Sequence, residues 1–71
     1  MAATMHVAVT DMAGEPIVAL CDQPESLYTQ LSVLMNAGQP WHLGPGAYRV
    51  RQIDLIVSGG QTRMVVQVTA I

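Results

Sequence analysis

Apolar residues in this chain recur at two different spacings, and the changes of spacing mark its elements. From Met5 to Asp11 they alternate with small or polar residues, the period of a strand with one buried face. Asp11-Met12-Ala13-Gly14 suits a type I turn, with Asp at the first position and Gly able to take a left-handed conformation. Pro16 to Asp22 then returns as a second strand, Pro16 being tolerable at a strand start. Pairing through that turn sets Val9 opposite Ile17, Val7 opposite Ala19 and Met5 opposite Cys21 on one face. His6, Ala8, Thr10, Val18 and Leu20 fall on the other.

The period lengthens after Asp22. Leu27, Leu31 and Leu34 follow at helical spacing, with Tyr28 and Met35 widening the stripe. Asp22-Gln23-Pro24-Glu25 has the residues of a helix start: Asp22 as cap, Pro24 in the first turn and Glu25 in a capping box. Asn36-Ala37-Gly38, followed by Pro40, ends the helix, with Gly38 as the left-handed cap.

Trp41 to Gly46 reads as irregular, because Gly44-Pro45-Gly46 breaks any period. Ala47 to Ser58 is a long strand whose apolar parity switches midway. Tyr48 and Val50 share one phase, whereas Ile53, Leu55 and Val57 share the other. A β-bulge near Arg51-Gln52 reconciles them on one face. Gly59-Gly60 supplies a two-residue hairpin turn, and Gln61 to Ile71 returns. The resulting pairs are Leu55 with Met64, Ile53 with Val66, Val50 with Val68 and Tyr48 with Ala70. Arg63 then lies diagonally from Asp54, within reach of a surface ion pair.

The element order ββαββ predicts an α+β domain spanning residues 1–71: a small antiparallel four-stranded sheet with one helix packed on one face. One helix covers only part of one face. The opposite face, by this register, gathers Ala8, Val18, Leu20, Ile56 and Val65, with Ile71 near them. An apolar sheet face of that kind marks an association surface, and a second copy of the chain is its default partner.

Composition strengthens that expectation. Only 11% of the 71 residues are charged and 51% are hydrophobic, with no lysine. A chain this short buries roughly 60% of the surface its unfolded form exposes, so it gains from a further staple. An internal disulfide is excluded, since Cys21 is the only cysteine. Its run Ile17-Val18-Ala19-Leu20-Cys21 predicts a small buried hydrophobe. No metal or other cofactor is expected, because neither His6 nor His42 has a His or Cys partner at ligand spacing. Association is what remains.

Net charge is −2, with three Lys+Arg residues against five Asp+Glu. That excludes the clustered basic footprint of direct nucleic-acid binding. Met1 to His6 lacks the basic and apolar segments of a secretory signal, and no window approaches a membrane span. A cytoplasmic protein is expected. No Ser-His-Asp or Cys-His order and no carboxylate pair points to catalysis, so no enzyme is predicted.

One local cluster carries binding chemistry. Trp41, His42, Tyr48, Arg49 and Arg51 surround the Gly-Pro-Gly turn. Aromatic faces with arginine suit a nucleotide-like anion, which would place a ligand site in loop 41–49. Trp41 as a lid over the helix end is the simpler role. Three functions therefore stand. The first is a self-associating protein that binds another macromolecule, as an inhibitor or adaptor of phage or mobile-element type. The second is a binder of a small anionic ligand, and the third a structural subunit of a larger assembly.

Overall fold

The computed structural model describes residues 4–71, so Met1 to Ala3 of the amino-terminal reading lie outside the described residues. Five strands and one helix follow in the order β1 (Thr4–Thr10), β2 (Pro16–Pro24), α1 (Ser26–Ala37), β3 (Pro40–Leu43), β4 (Gly46–Ser58) and β5 (Gln61–Ala70). They form one sheet in the order β2-β1-β5-β4-β3. The α+β class and the single helix agree with the sequence reading; the four-stranded antiparallel sheet does not. The sheet has a fifth strand, and it is mixed, because β1 and β5 run parallel.

The extra strand comes from the stretch read as irregular. Pro40 to Leu43 pairs antiparallel with Gly46 to Arg49, and Gly44-Pro45 alone makes the turn, with Gly44 at φ 57°. The β4–β5 hairpin agrees pair by pair with the expected register. Tyr48 meets Ala70, Val50 meets Val68, Ile53 meets Val66 and Leu55 meets Met64. The ladder slips between Val50 and Gln52, which leaves Arg51 as the extra residue of a bulge. Gly59 and Gly60 both take positive φ in the turn, the conformation that a type I′ hairpin requires.

The first hairpin starts as expected and then departs. Asp11 Oδ1 accepts the Ala13 and Glu15 amides, both at 2.9 Å, and Gly14 sits at φ 88°. Thr10 pairs with Pro16, but Ile17 bulges out, so Val9 faces Val18, Ala8 faces Ala19 and Val7 faces Leu20. A one-residue slip moves every following side chain to the other face. Val18 and Leu20 therefore share the helix side with Val9 and Val7, and the expected pairs of Val9 with Ile17, Val7 with Ala19 and Met5 with Cys21 do not form. A second slip, at Cys21-Asp22, places Asp22 at φ 56° and brings Met5 opposite Gln23.

That slip also moves the helix start. Asp22 to Pro24 stay in β2, and Glu25 occupies the N-cap position without a side-chain cap bond. The helix ends as its sequence implies. Gly38, at φ 68°, donates to Met35 O, and Gln39 donates to Leu34 O at 2.9 Å, satisfying carbonyls that the last turn leaves free.

Alternation along β1 and β5 explains the core. Met5, Val7 and Val9 from β1, Met64, Val66 and Val68 from β5, and Val50 from β4 are buried under Leu31 of the helix. The helix packs over β4 and β3. Leu20, Trp41, Tyr48 and Ile53 close the rim of this cluster.

Candidate functional site

The cluster of loop 41–49 does not assemble into one site. Trp41 and Tyr48 are directly opposite each other in the β3–β4 pair, half-buried against the core. The Tyr48 ring lies over Gly46, where a Cβ would come within 2.8 Å of Cε2. Its face is thus occupied by packing. His42, Arg49 and Arg51 are exposed. Arg49 pairs with Thr69 and Arg51 Nε donates to Thr69 Oγ1 at 3.2 Å, which places both arginines on the sheet face away from the helix. Aromatic rings and guanidinium groups therefore belong to opposite faces, as the alternation of Tyr48, Arg49 and Val50 along β4 requires.

The expected apolar second face also divides. Ala8, Val65 and Ile56 do lie on the face away from the helix, but Val18 and Leu20 do not, because of the slip at Ile17. Strand pairing lays that face out in rows: Ala19-Ala8-Val65-Asp54, Thr10-Gln67-Gln52 and, next to them, Arg63 with His6 and Ile56. Polar side chains thus surround the few apolar ones. Asp54 accepts from Gln52 Nε2 at 3.1 and 3.3 Å, in place of the ion pair expected with Arg63. Ile71 is exposed just beyond β5, its amide bonded to Ala47 O.

Two other features emerge that the sequence pattern does not disclose. The first is the outer edge of β2, the last strand of the sheet on that side. Ile17, Val18, Ala19 and Cys21 are all exposed there, and the run Ile17 to Cys21 contains no charge and no proline. Edge strands of such length are usually guarded by charged residues, prolines or a covering element. Here Pro16 and Pro24 stand at the two ends, and the bulge at Ile17 and the slip at Cys21-Asp22 flank Val18–Leu20, which is left as the open part of the edge.

The second feature is an open depression of about 930 Å³ at the end of the sheet where β1 begins and β2 ends. Cys21 and His6 meet in it, with Sγ 3.6 Å from Nδ1. Asp22, Glu25 and Arg63 line the same depression. Cys21 is exposed, not buried as its apolar run suggests, because the slip at Ile17 puts Leu20 on the helix side and turns Cys21 away from the core. The absence of a ligand-spaced partner for His6, true along the sequence, does not survive folding: the two residues are fifteen positions apart and meet across β1 and β2. Among the described residues no group of three or more His, Cys, Asp or Glu side chains is placed to hold a metal ion. No helix of the described residues is long and apolar enough to cross a membrane.

Comparison with protein-family models, with curated proteins and with solved structures gave no match for this chain.

Proposed function

We propose that this chain is a non-enzymatic interaction protein that associates with a second copy of itself through the outer edge of β2. The observation that carries this reading is the exposed, uncharged run Ile17–Cys21 on a terminal strand of nine residues. Its outward N–H and C=O groups are a template for antiparallel pairing, and a two-fold axis beside the strand joins two five-stranded sheets into one. Side-chain burial adds to the backbone bonds. Val18 and Leu20 sit on the helix side of β2, half-buried or exposed, beyond the strands that the helix covers. Pairing extends the helix-side core across the axis.

The test is a charge on the edge at a residue that contributes nothing to the core. Ala19 is exposed and pairs with Ala8 on the face away from the helix, so Ala19→Lys leaves the monomer's packing intact. Light scattering after size exclusion should show a dimer for the parent chain and a monomer for Ala19→Lys, with the same circular dichroism. A parent chain that stays monomeric at its solubility limit refutes the reading. An open-ended polymer would redirect it towards a structural subunit.

A further inference from the structure

We infer that Cys21 and His6 form half of a zinc site, completed by the same two residues of a second copy of the chain. The inference rests on the self-association reading and adds a metal to it. A tetrahedral zinc ion holds cysteine sulfur at about 2.3 Å and histidine nitrogen at about 2.0–2.1 Å, which puts the two donor atoms about 3.6 Å apart. Cys21 Sγ and His6 Nδ1 are 3.6 Å apart in a solvent-open depression. The donors already stand at ligand spacing.

One chain supplies two donors and zinc in a closed site takes four. Among the described residues no third His, Cys, Asp or Glu joins the pair to complete a site within the chain. A metal on a two-fold axis receives an identical pair from each copy, giving Cys2His2 coordination. Cys21 belongs to β2, the strand proposed to face its counterpart. With the axis beside Cys21, the two cysteines are directly opposite, and such residues in antiparallel strands have Cα atoms roughly 4.5–5.5 Å apart with side chains on one face. That register lays Val18, Ala19 and Leu20 of one copy beside Pro24, Gln23 and Asp22 of the other, and the apolar run, which would pair with itself about Ala19, does not choose it. A metal on the axis does.

Charge balances as well. Each thiol releases one proton to solvent on ligation, two Zn–S and two Zn–N bonds form, and the two thiolates neutralise the ion. No electron changes hands.

The experiment uses the full chain, reduced and stripped of metal, titrated with zinc alone by calorimetry and followed by light scattering. Expected are one zinc per two chains and dimerisation tightened by roughly tenfold or more. Cobalt in place of zinc should give tetrahedral d–d bands with a thiolate charge-transfer band. Cys21→Ser and His6→Ala, both at exposed positions, should keep the parent circular dichroism and lose each of these responses. Binding of one zinc per chain, or equal binding by parent and Cys21→Ser, overturns the shared site. A metal-free chain that dimerises and ignores zinc overturns it too, while leaving the β2 edge reading in place. A chain monomeric with and without zinc overturns both.

Discussion

Leu31 is the one helix residue that is fully buried, closing over Val7, Val66 and their neighbours, whereas Gln30 beside it is exposed. Leu31→Ala should therefore cost roughly 2–5 kcal/mol, because the sheet beneath cannot collapse to fill the cavity. Gln30→Ala should be close to neutral, and paired thermal melts of the two variants will show the difference. The helical stripe made Leu31 legible in the sequence. Cys21 and Leu20 were not, since alternate residues from Ile17 to Cys21 are apolar in both phases. Either set could face the core at similar free energy, so the pattern contains no instruction about which does. His6 and Cys21 meet only through the slips in that strand. Their pairing is a property of the register, and no spacing along the chain encodes it.

Among the elements, the β4–β5 hairpin was readable because two independent signals constrain it. Gly59-Gly60 fixes the turn, and the parity switch between Val50 and Ile53 demands an extra residue. This gives a test by deletion. Removing Arg51 leaves Val50, Gln52 and Ile53 facing Val68, Gln67 and Val66 in unbroken alternation. The variant should fold, with a melting temperature within about 5 °C of the parent. Removing Asp54 instead puts Ile53 and Leu55 side by side, forces the far half of the strand out of phase, and should cost more than about 2 kcal/mol. Circular dichroism melts of the two deletions compare them directly. The β3–β4 turn had one signal only. Gly44-Pro45-Gly46 announces a break, but a four-residue strand that opens on Pro40 is too short to show a period. Hence Trp41 looked like a loop residue when it is the cross-strand neighbour of Tyr48 on the core side.

For the whole molecule, the question is how a chain with eight buried apolar residues among those described holds together. Association through β2 would couple folding to concentration. If the folded dimer is the stable species, raising the chain concentration by roughly tenfold should raise the melting temperature by several degrees, since mass action favours the assembled state. A scanning calorimetry series over concentration checks this, and Ala19→Lys should abolish the dependence. The parallel seam between β1 and β5 bears on something else, the time the chain needs to find its structure. His6 pairs with Arg63 and Thr10 with Gln67, so the two central strands meet only after most of the chain has been ordered between them. Contacts so far apart in sequence place folding among the slower small domains, on a scale of milliseconds to seconds. Until β5 docks, β1 exposes its inner edge and the first hairpin has two unpaired sides. Crowded, newly made chains would meet each other there before their own last strand arrives, so refolding yield should fall as concentration rises even where the finished protein is most stable.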